Sequence, residues 1–107
     1  MENNIFYKLA SVIDERKNAS PESSYTAKLL HAGVEKISKK VIEEAFEACL
    51  AAHNGDTAHL TNEICDLFYH ALVLGASRGV TIDAVAAELT RRFGTSGIDE
   101  KASRKQQ

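Results

Sequence analysis

The chain has 107 residues, a net charge of −2 and 44% apolar residues. This length predicts a single domain over residues 1–107, and the apolar content excludes wholesale disorder. The slightly acidic balance disfavours nucleic acid as a partner, because nucleic-acid binding normally requires a basic surface. No apolar run approaches the ~20 residues of a membrane span, and Met1 to Leu9 lack the pattern of a signal peptide. We therefore predict a cytoplasmic protein that does not enter a membrane.

Helical periodicity runs through most of the chain. It predicts an all-α fold with helices over residues 3–17, 25–32, 34–53, 57–78 and 82–92. Asp56 and Thr81 are expected to cap the last two helices, and Gly33 is expected to end or bend the second. Residues 18–24 read as a loop, and the polar residues 94–107 as a tail or a lid.

The two longest helices are expected to pair. Only Asn54-Gly55 separates them, so they should form an antiparallel hairpin. Both helices carry apolar surfaces too wide for the hairpin to cover, and the flanking helices are short. A second copy of the chain would complete a four-helix bundle, so we predict a homodimer.

Two cysteines lie within these helices. Cys49 and Cys65 have neither a CxxC nor a zinc-ribbon spacing, so they do not indicate a redox or zinc site. Both neighbour apolar residues, which predicts buried thiols.

Acidic residues form two clusters, one on each long helix. Glu43, Glu44 and Glu47 make up the first, and Glu63 and Asp66 the second. Side chains three or four residues apart share a helical face. Antiparallel packing would bring Glu47 level with Glu63, and Glu44 level with Asp66. Four or five carboxylates can then converge, which is unfavourable without a cation between them.

The competing interpretation is a solvated surface with ordinary salt bridges, such as Lys40 with Glu44. Against it, Glu63 and Asp66 interrupt a strongly apolar helix, where exposure to solvent is least expected. An all-carboxylate set favours Mg²⁺, with Mn²⁺ as the alternative, over zinc, which prefers Cys and His. A di-iron bundle would need Glu-x-x-His, which the sequence lacks. We therefore predict a magnesium site.

Two lysines precede the acidic residues on the same helix. Lys36 and Lys40 lie one and two turns away and could pair with phosphate charge, although a solvated position explains them equally well. There is no Gly-rich phosphate loop, so metal and side chains would hold the phosphates. That arrangement suits hydrolysis of a phosphoanhydride by water positioned on a carboxylate.

The spacing of these acids, Glu-Glu-x-x-Glu followed by Glu-x-x-Asp, resembles the signature of the all-α, MazG-like nucleotide pyrophosphohydrolases. More specifically, the chain resembles the phosphoribosyl-ATP pyrophosphatase family of histidine biosynthesis over about residues 5–104. The acidic signature points only to the superfamily. The narrower resemblance rests on five segments: Ser24 to Leu30, Lys39 to Ala45, Asn54 to Asp56, Asp66 to His70, and Ser96 to Arg104.

The resemblance implies Mg²⁺-dependent hydrolysis of the α–β phosphoanhydride of phosphoribosyl-ATP. Carried over by position, it implies metal ligands at Glu44, Glu47, Glu63 and Asp66. Glu43 would then support the ligands or act as the base that orients water, and the sequence does not rank those two roles. Ile42 departs from the family, which often has Gly before the Glu pair, but this difference removes no ligand.

The resemblance also implies substrate contacts outside the acidic clusters. Lys101 and Arg104 would fold over the substrate and bind its phosphates. The alternative is that they belong to a frayed, basic C-terminus without such a role. Tyr25 and Lys28 would reach the base or the phosphates of the substrate. The alternative explanations are core packing for Tyr25 and a solvated position for Lys28. His70 is a substrate contact or a hydrogen-bonded helix residue, and we favour the latter.

Two other functions stay open at this point. One is a house-cleaning pyrophosphohydrolase that acts on free nucleoside triphosphates; the tail and the Ser24–Lys28 segment favour phosphoribosyl-ATP instead. The other is a helical dimerisation module without catalysis, whose acidic residues serve solubility.

Overall fold

The computed structural model describes residues 4–93, and within that range it contains helices and no strand. The elements are α1 (Ile5–Glu15), a 3₁₀ helix (Arg16–Asn18), α2 (Tyr25–Ala32), α3 (Val34–His53), α4 (Thr57–Ser77) and α5 (Ile82–Arg92). The predicted all-α class is confirmed, and so are the bounds of α2, α3 and α5. The predicted first helix ends earlier as an α-helix, because its last turn tightens into the 3₁₀ segment. The predicted tail lies outside the described residues.

Four of the five α-helices begin at a polar residue whose side chain accepts a hydrogen bond from a backbone N–H of the first turn. Such a bond satisfies one of the N–H groups that lack a partner within the helix. These capping residues are Asn4, Ser24, Asp56 and Thr81. The caps predicted at Asp56 and Thr81 are therefore confirmed.

Gly33 and Gly55 reverse or redirect the chain where no other residue type fits easily. Gly33 joins α2 directly to α3 at φ 101°, and Gly55 turns the chain after α3 at φ 71°. Side chains rarely adopt such positive φ values, which glycine tolerates without steric cost. As a result, α2 folds back beside α3, and α4 returns along α3 as the predicted hairpin.

The core lies where α1, α2, α3 and α4 meet. Each contributes one large buried aliphatic side chain to a shared cluster: Ile13, Leu29, Ile37 and Val73. Leu9, Leu30, Tyr69 and Leu72 pack against this cluster and are partly buried. The core fixes the first half of α3 against the second half of α4, and so sets the register of the hairpin.

Replacing Ile37 by Ala is expected to lower the free energy of unfolding by about 2–5 kcal/mol, because Ile37 is fully buried and the cavity would collapse only partly. Urea denaturation at fixed protein concentration measures the change. Ile37→Val should cost only about 0.5–1.5 kcal/mol, since it removes one methyl group. A loss below 1 kcal/mol for Ile37→Ala would place this residue outside the core.

A second apolar surface stays uncovered in the single chain. On α3, Ile42 and Phe46 are 69% and 62% exposed. Phe68 on α4 is also exposed, but it lies against Phe6 of α1. Cys49 and Cys65 lie on the same helices and are exposed too, so the prediction of buried thiols is wrong for the single chain. Leu50 and Ile64, apolar neighbours of the two cysteines in the sequence, are themselves exposed.

None of the helices between residues 4 and 93 combines the length and the hydropathy that crossing a bilayer requires.

Candidate active site

The acidic residues of α3 and α4 meet across the hairpin as the helical spacing predicts. Glu44 and Glu47 lie three residues apart on α3, and Glu63 and Asp66 lie three apart on α4. Glu44 meets Asp66, and Glu47 meets Glu63, so the residue numbers run in opposite directions along the two helices. The structure therefore brings all four predicted ligands together. Their roles as ligands stay predictions.

The first group contains Glu44, Glu63 and Asp66. One carboxylate oxygen from each lies within 4.8 Å of the others. The side chains of Glu44 and Glu63 are only 14% and 12% exposed, so water screens their charges poorly. This partial burial contradicts an ordinary solvated surface for these two residues.

The second group contains Glu47, His59 and Glu63, whose ligand atoms also lie within 4.8 Å of one another. His59 Nε2 is 3.4 Å from Glu63 Oε2. Glu63 belongs to both groups and joins them into one continuous site. Sequence reasoning missed His59, although its position four residues before Glu63, on the same helical face, was a usable signal.

The pKa of Glu44 is raised to about 6. Removal from water is the largest cause, followed by the hydrogen bond with Glu63 and the nearby charges of Glu63 and Asp66, while Lys40 acts in the opposite direction. All the raising causes disfavour a negative charge on Glu44. The site is thus electrostatically poised to accept a cation.

Without divalent ions, Glu44 should contribute a loss of stability as the pH rises from about 4.5 to about 6.5. The folded state keeps a proton on Glu44 up to pH about 6, whereas the unfolded chain releases it near 4.5, so the folded state binds more protons in this window. We expect Glu44 to account for a fall of about 1 kcal/mol, allowing for solvent screening. Urea denaturation in EDTA at several pH values measures it, with Glu44→Gln as the reference. An equal slope in that variant would contradict the assignment.

Lys40 is the basic residue that the structure places against these acids. Its Nζ lies 3.4 Å from Glu43 Oε2 and 3.9 Å from Glu44 Oε1. The hydrogen bond to Glu43 raises the pKa of Lys40 and keeps it charged. Glu43 therefore lies at the edge of the cluster, paired with Lys40, and belongs to neither candidate metal group. The salt bridge predicted between Lys40 and Glu44 is present, but it neutralises only one end of the site.

Tyr25 and His70 border the cluster on the side of α2. His70 is buried, and its Nδ1 lies 2.7 Å from the backbone oxygen of Asp66. A carbonyl only accepts, so Nδ1 donates to it, and the Nε2 atom on the other side of the ring shares a hydrogen bond of 3.1 Å with the Tyr25 hydroxyl. His70 is thus the hydrogen-bonded helix residue that we favoured. It also orients Tyr25, whose pKa is raised mainly by removal from water, with smaller opposing effects of the charges on Lys40 and Glu44.

The other predicted substrate contacts are more dispersed. Lys28 and Lys36 are exposed, on α2 and on the first turn of α3. Lys28 and Tyr25 line an open depression with the loop before α2. Lys101 and Arg104 lie outside the described residues.

The chemistry of the donor set fits a hard divalent cation. Glu44, Glu47, Glu63 and Asp66 supply carboxylate oxygens from both sides of one cleft, as Mg²⁺ and Mn²⁺ prefer. The raised pKa of Glu44 also favours a cation here, because burial and the neighbouring acids both disfavour an uncompensated negative charge on this residue.

Known proteins are similar to this chain over nearly its whole length. Residues 6–93 match the family described as phosphoribosyl-ATP pyrophosphohydrolase. A phosphoribosyl-ATP pyrophosphatase of Trichlorobacter lovleyi is 58% identical over 95% of this chain and 94% of its own length. The phosphoribosyl-ATP pyrophosphatase of Nitrosospira multiformis is 50% identical over 94% of this chain and 84% of its own length. That of Cereibacter sphaeroides is 52% identical over 94% of this chain and 97% of its own length. The chain belongs to the phosphoribosyl-ATP pyrophosphohydrolase family.

Proposed function

We propose that this protein hydrolyses phosphoribosyl-ATP to phosphoribosyl-AMP and pyrophosphate, the second step of histidine biosynthesis. Family membership supports the substrate, and the names of the relatives cited above agree with it. The observation that carries the reaction type is the meeting of Glu44, Glu63 and Asp66, of which Glu44 and Glu63 are largely withdrawn from solvent. Carboxylates arranged in this way suit metal-assisted hydrolysis of a phosphoanhydride.

The proposed cofactor is Mg²⁺, with Mn²⁺ as a substitute, and the proposed ligands are Glu44, Glu47, Glu63 and Asp66. Bound there, the cation would offset the charge of the carboxylates and of the phosphate oxygens at the bond that breaks. Support comes from the all-carboxylate donor set, from the low exposure of Glu44 and Glu63, and from the raised pKa of Glu44, which burial and the neighbouring acids cause.

The protein side chains would orient water and accept its proton. Water oxygen adds to the α-phosphorus, the bond between that phosphorus and the bridging oxygen breaks, and pyrophosphate leaves with the bridging oxygen. A carboxylate takes the proton that the water loses. Glu43 is the proposed residue for this role or for holding the ligands in place, since it lies beside the cluster and is paired with Lys40.

The proposed phosphate contacts are basic side chains around the cleft. Lys40 is the best supported, because it already lies 3.9 Å from Glu44 and would move toward phosphate once a cation neutralises the acids. Lys28, Lys36, Lys101 and Arg104 complete the proposed set.

We further propose that the protein is a cytoplasmic homodimer. Exposed Ile42 and Phe46 support the second copy, since a large apolar patch on a small protein favours burial. The free thiols of Cys49 and Cys65 support a reducing compartment.

Incubation with Mg²⁺ and either phosphoribosyl-ATP or a panel of deoxynucleoside triphosphates tests the proposal. We expect pyrophosphate release from phosphoribosyl-ATP only, and none in EDTA. Turnover only of the triphosphates would replace this function by house-cleaning hydrolysis. No turnover at all, together with no Mg²⁺-dependent rise in melting temperature, would leave a non-catalytic helical module, because a ligand of the folded state must stabilise it.

A further inference from the structure

His59 gives one end of the carboxylate cleft a different ligand chemistry from the other. At one end of the cleft, Glu44, Glu63 and Asp66 offer only carboxylate oxygens, which lie within 4.8 Å of one another. At the opposite end, His59 supplies a ring nitrogen beside Glu47 and Glu63. We propose that His59, Glu47 and Glu63 form a binding site for a transition-metal dication such as Co²⁺ or Zn²⁺, distinct in preference from the proposed magnesium site.

The positions of the three residues allow them to hold one ion. His59 and Glu63 lie four residues apart on α4, so their side chains project from one face, with His59 Nε2 3.4 Å from Glu63 Oε2. Glu47 approaches from α3, and all three ligand atoms lie within 4.8 Å of one another. His59 is 48% exposed, so an ion can enter from solvent and complete its coordination with water.

The preference follows from ligand chemistry. Imidazole is a good ligand for zinc, cobalt, nickel and copper, whereas Mg²⁺ and Ca²⁺ prefer oxygen. Affinity for a mixed nitrogen and oxygen site rises along the first-row series toward copper and is also high for zinc. The ion at His59 should therefore be a transition metal, while the all-oxygen group should favour Mg²⁺.

The competing explanation is an exposed ion pair between His59 and Glu63. A pair of this kind would stabilise the helix slightly and would have no metal preference. The proposal rests on the proposed function only through Glu47 and Glu63, which are also among the proposed magnesium ligands. Its tests measure metal binding rather than pyrophosphate release, so failure of one does not imply failure of the other.

Calorimetric titration with Co²⁺ and with Mg²⁺ tests the preference. All proteins carry Cys49→Ser and Cys65→Ser, because both thiols are exposed and would compete for Co²⁺. We expect His59→Gln to weaken Co²⁺ binding at least about tenfold while Mg²⁺ binding changes less than about threefold. His31→Gln, at an exposed position of α2, is the matched control and should change neither. Unchanged Co²⁺ affinity, or an equal loss for both ions, would overturn the proposal.

Zn²⁺ binding followed by the ring ¹⁵N signals of the histidines gives a second readout that does not depend on affinity. The chain has four histidines, and we expect only the His59 signal to shift on addition of one equivalent of Zn²⁺. A shift at another histidine, with His59 unchanged, would remove His59 as the ligand. His59→Glu should reverse the preference, because it converts this end to carboxylates: Co²⁺ affinity falls relative to Mg²⁺.

Discussion

Replacing Glu63 by Gln is expected to lower Mg²⁺-dependent pyrophosphate release from phosphoribosyl-ATP by about two to three orders of magnitude. Glu63 is the one residue shared by both groups of candidate ligands, and its side chain is only 12% exposed. Loss of a metal-ligating charge removes several kcal/mol of transition-state stabilisation, and each 1.36 kcal/mol is a factor of ten in rate. Steady-state kinetics at saturating Mg²⁺ measures the loss.

The same substitution should leave the metal-free protein as stable as the parent or slightly more stable. Removing one of three neighbouring carboxylates relieves repulsion, which is also a cause of the raised pKa of Glu44. The Mg²⁺-dependent rise in melting temperature should shrink or disappear. Glu35→Gln, an exposed acid in the first turn of α3, is the control and should keep both activity and the rise. Full activity in Glu63→Gln would contradict a catalytic role for the cleft.

Replacing Phe46 by Lys is expected to convert a dimer into a monomer at micromolar concentration. Phe46 is 62% exposed in the single chain, beside exposed Ile42 on the same helix. Burial of one phenylalanine contributes about 1.5–3 kcal/mol, and a two-fold interface loses it twice. The dissociation constant should therefore rise at least about 100-fold.

Sedimentation equilibrium of the parent and the variant measures this change. Val12→Lys makes the same type of substitution at an exposed apolar position of α1, away from the hairpin surface, and should leave the dimer intact. A parent that sediments as a monomer at all concentrations would refute the dimer. A Phe46→Lys variant that stays dimeric would place the interface elsewhere.

Local signals in the sequence were sufficient for most of the fold. Apolar periodicity located all five helices, and side-chain caps such as Asp56 and Thr81 marked where helices begin. These signals depend only on a few neighbouring residues, so they can be read from the sequence without knowledge of the tertiary structure. The first helix was predicted too long, because periodicity does not distinguish an α-helix from a final 3₁₀ turn.

The candidate site was predictable for a related reason. Helical geometry and the short turn at Asn54-Gly55 together fix which residues of α3 and α4 lie opposite each other. These two features of the sequence were enough to predict that Glu44 lies opposite Asp66 and Glu47 opposite Glu63. Helical geometry could not distinguish Glu43 from the four predicted ligands. The structure places Glu43 beside Lys40 and outside both groups of candidate ligands.

The sequence by itself determined the class of fold, the hairpin and the set of acids that face one another, because these follow from helical spacing and from one turn. The tertiary structure alone decided how far each side chain is removed from water. That property gives Glu44 its raised pKa and leaves Cys49 and Cys65 exposed. Packing of α3 against α4 likewise decides how closely Glu47 approaches His59 and Glu63. Burial and ligand distance depend on packing between distant segments, and no local pattern encodes them.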